Sequence, residues 1–164
     1  MTTITQMPEG PEVKVFAKQL NNLIKGSFLT DVWIYPKSRY FEKHKIDIEF
    51  PIKILCVKSF GKKIIFCLDN KQYILSFLGM EGKWLLNKGK HSDMCFIINN
   101  NIVIWYDDSR HFGTVESVDR KMLKHKMRNI GPDIMSSKMT YELFKERIES
   151  VRNKDMLLSK MMLN

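Results

Sequence analysis

A chain of 164 residues is long enough for one domain with a real core, or for one domain and part of a second. Its composition of 44% hydrophobic and 27% charged residues excludes a disordered chain, and no apolar run approaches the roughly 20 residues that span a membrane. A net charge of +9, from 27 Lys and Arg against 18 Asp and Glu, favours a polyanionic partner such as DNA, RNA or an acidic membrane surface.

Residues 1–7 read as an unstructured leader, and the start MTTITQ lacks the basic-then-apolar pattern of a signal peptide. The protein is therefore expected to be soluble and intracellular. The stretch Met7-Pro8-Glu9-Gly10-Pro11-Glu12-Val13 runs into a helix. Pro11 suits the first helical position, where a missing N–H costs nothing, and Glu12 sits at the positive end of the helix dipole. Val13, Phe16, Leu20, Leu23 and Ile24 recur at helical spacing, and Gly26 is the expected stop. Spacing alone makes this a helix start with two capping acids and two prolines.

A β-rich body follows. Residues 29–35 alternate as a strand, 36–45 are polar and loop-like, and 52–59 form a second strand that turns at Gly61-Lys62. Residues 63–68 and 72–77 read as a hairpin about positions 69–71, and 94–98 with 102–106 as another that turns on Asn99-Asn100-Asn101. Such closely spaced hairpins imply an antiparallel sandwich or flattened barrel with the helix at one end, a mainly β, α+β class. Ile130-Gly131-Pro132-Asp133 breaks the texture, Thr140 is a good N-cap for a helix to residue 148, and 155–163 is a further apolar helical run that looks cut off at Asn164. Cys56, Cys67 and Cys95 are odd in number with no CxxC pair, and His44, His91, His111 and His125 are scattered, so neither a disulfide framework nor a zinc site is expected within the chain.

Five motifs, in order, resemble the formamidopyrimidine-DNA glycosylase/endonuclease VIII family. They are Pro8-Glu9-Gly10-Pro11-Glu12; Gly61-Lys62 on a turn; Leu78-Gly79-Met80-Glu81-Gly82; Asp107-Asp108-Ser109-Arg110-His111-Phe112-Gly113; and the linker Ile130-Gly131-Pro132-Asp133. Each has an ordinary reading as a turn, a core methionine or a surface loop, and their order is what carries the likeness. The resemblance implies a catalytic two-sheet β-sandwich domain over residues 8–133 and the start of an incomplete helix-two-turn-helix domain over 134–164.

The resemblance also implies base excision repair by a bifunctional DNA glycosylase and abasic-site lyase. Pro8 would be the amine nucleophile and Glu9 the acid/base on the sugar. Glu12 would orient or assist, and Lys62 would hold phosphate. Met80 would fill the space left by an everted nucleotide, Arg110 would face the orphaned base, and Phe112 would wedge into the stack. Lys63 would add to the DNA contact. His111 stands where the family often has arginine, which leaves its role open. The implied partner is double-stranded DNA with damaged bases or abasic sites, bound by a monomer with no membrane. No cofactor is implied in this chain, because the family's zinc finger lies in the part that would follow residue 164.

One departure concerns chemistry. Pro8 follows Met7, so its nitrogen is a tertiary amide without a nucleophilic lone pair, and the expected remedy is a mature chain that begins at Pro8. The alternative is a catalytically inactive DNA-binding remnant. An unrelated reading, a basic β-barrel that binds single strands through aromatics, requires exposed aromatic residues on one sheet face.

Overall fold

The computed structural model describes residues 8–36, 41–128, 130 and 140–149. Helix α1 spans Gly10–Ile24, with Glu9 as its N-cap, so Pro11 takes the second helical position where the sequence suggested the first. Glu9 N–H donates to Glu12 Oε2 at 3.1 Å, which occupies a backbone donor that the helix start would leave orphaned. The buried face is Val13, Ala17, Leu20 and Ile24, whereas Leu23 points largely outward. Gly26 adopts φ +81° and its N–H donates to Ile54 O at 2.8 Å, so the chain stops the helix in the left-handed region and joins the sheet at once.

Eight described strands follow: β1 (Phe28–Ile34), β2 (Ile52–Phe60), β3 (Lys63–Leu68), β4 (Tyr73–Phe77), β5 (Lys83–Leu85), β6 (Ser92–Ile98), β7 (Ile102–Asp107) and β8 (Thr114–Val118). Their order is β5-β7-β6-β1-β2-β3-β4-β8, with every neighbouring pair antiparallel. Strands β1 and β2 are joined only at Phe28↔Lys53 and Leu29↔Ile52, and there the sheet turns back on itself. Trp84 on β5 and Ser76 on β4 lie near opposite ends of the strand order, yet Trp84 Nε1 donates to Ser76 Oγ at 3.2 Å. Phe66 on β3 meets Phe96 on β6 with ring centroids 5.4 Å apart. The two halves therefore face one another as the expected sandwich, with Phe66, Trp84, Phe96 and Tyr106 at the centre of one core that also takes in the buried face of α1.

Three elements had no counterpart in the sequence reading: β5, β8, and helix α2 (Arg120–Met127). Part of the segment read as a loop is ordered against β8. Phe41–Lys43 makes a single 3₁₀ turn, and Lys45 pairs in parallel with Glu116, its N–H donating to Val115 O at 2.9 Å. This covers the edge of β8 and buries His44. The expected hairpin turns stand, with Asn99 and Asn100 both at positive φ.

The chain divides into two compact units, residues 1–121 and 122–164. In the second, helix α3 (Tyr141–Glu149) is capped as expected, with Leu143 N–H donating to Thr140 Oγ1 at 3.2 Å. The leader 1–7, the break at Gly131-Pro132-Asp133 and the run 155–163 lie outside the described residues. Among the described residues, no helix is long and apolar enough to cross a membrane.

Candidate active site

Strand register gathers three of the five motifs at one end of the sandwich. Phe60 pairs with Lys63 across the Gly61-Lys62 turn, Lys63 with Phe77, and Phe77 with Thr114. The β2–β3 turn, the exit from β4 into Leu78-Gly79-Met80 and the approach to β8 through Phe112-Gly113 thus lie side by side.

The start of α1 comes to the same end. Lys62 Nζ sits 2.8 Å from Glu9 Oε1 and 2.6 Å from Glu9 Oε2, a contact between residues 53 apart in sequence. Pro8, beside this ion pair in the chain, is buried. Glu12, bonded to Glu9 N–H, completes the group, so Pro8, Glu9, Glu12 and Lys62 form one cluster. The Lys62 and Glu9 side chains are 38% and 43% exposed, so their attraction is screened and contributes little to stability. What the contact does is fix a cation and a carboxylate beside Pro8.

The two loops expected to enter DNA are built against each other. Gly79 has φ +63°, and a Cβ there would lie 2.7 Å from Gly113 N and 2.9 Å from the Phe112 carbonyl carbon. Only glycine permits that approach. Ser109 donates from its hydroxyl to Glu81, a second link between the loops. Asp108 organises the backbone of its own loop, accepting from Gly113 N–H at 2.7 Å and from Arg110 N–H at 3.2 Å. Arg110 and Phe112 are both exposed, with the guanidinium 5.0 Å from the ring centroid. A cation and an aromatic ring therefore project together, as a stack-invading pair would need to. Met80 is half-buried on the facing turn, and Lys63 opens β3 close by.

His111 differs from its neighbours. It turns inward at φ +53°, with Nδ1 3.5 Å from Asp93 Oδ2, and Lys43 Nζ donates to its carbonyl at 2.6 Å. Asp93 in turn lies 3.4 Å from His44 Nε2. Burial pushes the Asp93 carboxyl up, but the hydrogen bond and charge of His44 and the charge of His111 outweigh it, so the group titrates below the usual carboxylate range. His44 and Asp93 escaped the sequence reading. Asp93 shows a weak signal as an acid directly before the apolar run Met94–Ile98; His44 shows none. Among the described residues, no three His, Cys, Asp or Glu side chains are grouped as metal ligands.

A sequence profile of the formamidopyrimidine-DNA glycosylase N-terminal domain matches residues 7–115. The chain belongs to the formamidopyrimidine-DNA glycosylase family. The family's proteins from Bacillus cereus and Lactobacillus gasseri are 31% and 30% identical to it, over 90% and 84% of this chain. The chain spans 57% and 53% of their lengths, so it corresponds to little more than half of these relatives. Among solved structures, MutM (Fpg) from Thermus thermophilus matches with a TM-score of 0.73 at 24% identity, over 95% of this chain and 58% of its own, and shares the fold. MutM in complex with DNA containing carbocyclic 8-oxo-G matches at 25% identity and a TM-score of 0.68, over 86% of this chain and 57% of its own.

Proposed function

We propose that this chain carries the nucleophile-bearing half of a base-excision DNA glycosylase and abasic-site lyase, acting on damaged double-stranded DNA. The observation that carries the reading is Lys62 Nζ held on both carboxylate oxygens of Glu9, next to Pro8, at the sandwich end that also presents Arg110 and Phe112. Family membership and the relatives' printed names support it, as does the crystal structure of Lactococcus lactis Fpg bound to DNA containing an AP site.

In this reading the lone pair of a free Pro8 amine forms a bond to the sugar's anomeric carbon, and the glycosidic bond breaks. Its electron pair leaves with the base, which takes up a proton. The Glu9 carboxylate accepts the N–H proton that the Pro8 nitrogen sheds after bonding and passes it to the ring oxygen, the sugar opens, and a cationic iminium joins Pro8 to the opened sugar, while the departing base takes its proton from solvent. Loss of a proton from the adjacent carbon then expels the 3′ phosphate, with Lys62 offsetting the charge on phosphate. An α-amino group titrates at roughly 7.7–8.0, so a useful neutral fraction exists near neutrality, but only when Pro8 is the first residue. With Met7 attached the nitrogen is an amide and the chain can only bind.

Incubation with duplex DNA containing a single abasic site tests the reading. Strand cleavage by protein that begins at Pro8, and none by protein that retains residues 1–7, is the expected result. Binding without cleavage in both forms would establish the inactive DNA-binding alternative.

A second reading is favoured by one observation. Trp33 and Tyr35 are 38% and 45% exposed on one sheet face with centroids 5.8 Å apart, and Lys88 Nζ lies 5.2 Å from the nearby Trp105 ring. That is the exposed aromatic and basic surface a single-strand binder needs. Trp33→Ala lowering affinity for single-stranded but not abasic duplex DNA would support it.

A further inference from the structure

The groups beneath the Arg110–Phe112 loop form a buried polar system that the proposed chemistry does not use. Asp93, 6% exposed on β6, lies between two imidazoles, His44 from the 3₁₀ turn and His111 from the loop itself. Tyr106 from β7 packs edge-on against His44 at 5.7 Å, and the His91 ring lies 6.4 Å from His111. Lys43 holds the His111 carbonyl, and Asp108 holds the Arg110 and Gly113 amides. Asp107, the remaining carboxylate, is taken up by Ser92 Oγ and His91 N–H. His44 Nδ1 is buried with no hydrogen-bond partner among the described residues.

A buried carboxylate is costly unless a cation and hydrogen-bond donors compensate it. Here the neighbouring side chains that can gain charge near neutrality are histidines. His111 also sits at φ +53°, a left-handed backbone that few residues with side chains adopt, although histidine adopts it more readily than most. Its two immediate neighbours in sequence are Arg110 and Phe112.

We propose that His111 is a positioning residue: tethered to Asp93, and through Asp93 to His44, it holds the loop that presents Arg110 and Phe112 to DNA, more firmly when the imidazoles are protonated. This rests on the reading of that loop as a DNA contact.

Two measurements on the full chain test it, with wild type, His111→Asn and Asp93→Asn. Asparagine tolerates positive φ and keeps hydrogen-bonding capacity but cannot gain charge, so H111N spares the backbone while removing the titration. The first measurement is amide exchange at Arg110 and Gly113 without DNA, corrected for intrinsic exchange. The second is the ratio of affinities for abasic and undamaged duplexes. In wild type, both protection and ratio should fall about three- to tenfold from about pH 6 to about pH 8, and the slope should flatten in both variants. A merely structural role would lower the values at every pH and leave the slope intact, which overturns the proposal; so does a wild type whose amide protection shows no slope. Should D93N fail to fold, H111N decides. Wild type that never distinguishes the two duplexes, while its amide protection still tracks pH and flattens in H111N, would sink the DNA-contact reading and leave the tether standing.

Discussion

Replacing Lys62 by methionine should separate stability from chemistry. The side chain keeps its apolar stem and loses its charge. The ion pair with Glu9 is short, at 2.6 Å, but its members are 38% and 43% exposed, and pairs so placed contribute about 0–1 kcal/mol after screening and side-chain ordering. For a chain of this size that is a fall in Tm of at most about 2–4 °C. If the amine is to act beside Glu9 with phosphate charge developing, removal of the Lys62 cation from Glu9 should cost about 10²-fold or more in abasic-site cleavage by protein that begins at Pro8. Thermal unfolding by circular dichroism and single-turnover cleavage of an abasic duplex give the two readouts. A Glu9→Gln, Lys62→Met double variant should be no less stable than the worse single variant, because the contact is positional. Lys62→Met that unfolds more than 10 °C early (about 3 kcal/mol or more), or that cleaves at the wild-type rate, would refute the reasoning.

Other consequences follow from burial. Phe66→Ala removes a fully buried ring that touches both Trp84 and Phe96, and should cost about 3–5 kcal/mol in denaturant titration, against well under 1 kcal/mol for exposed Lys71→Ala. Burial, with a hydrogen bond that the Cys67 S–H donates to Cys56, pushes the Cys67 thiol up to about 12, and burial also raises that of Cys95. Iodoacetamide at mildly alkaline pH should therefore label Cys56 first, and the other two only after denaturation, as peptide mass spectrometry would reveal. The depressed Asp93 carboxyl contributes stability that is fully present above the ordinary carboxylate range and is lost as pH falls through its lowered value. The acid limb of a Tm-against-pH profile should thus be shallower in Asp93→Asn than in wild type.

The sequence exposed what depends on short-range pattern and hid what depends on closure. The α1 periodicity is carried by Val13, Leu20 and Ile24, which are large and buried, but Ala17 is too small to register and Leu23 shares the spacing without the burial. Both hairpins were legible because each turns on short polar residues, Asp69-Asn70-Lys71 in one and Asn99-Asn100-Asn101 in the other, with Lys71, Asn99 and Asn100 at positive φ. Strand β5, three residues long, is too short to show alternation, and β8 is ordered by partners far away in sequence, Tyr73–Phe77 on one side and Lys45 on the other. Helix α2 buries none of its side chains, so no apolar stripe marked it. Residues Pro8, Glu9, Glu12 and Lys62 could be named together only through the family motifs, because nothing in spacing unites positions 9 and 62. The His44–Asp93–His111 system was invisible for the same reason, its members coming from three separate segments.

The central claim is that Pro8, once it is the first residue, is the nucleophile. Borohydride reduction during reaction with abasic-site DNA, followed by proteolysis and mass spectrometry, tests it most directly. The account predicts a covalent adduct on the Pro8-containing peptide, absent when residues 1–7 are restored. An adduct that maps to a lysine instead, or one that forms equally well with Pro8 blocked, would contradict it.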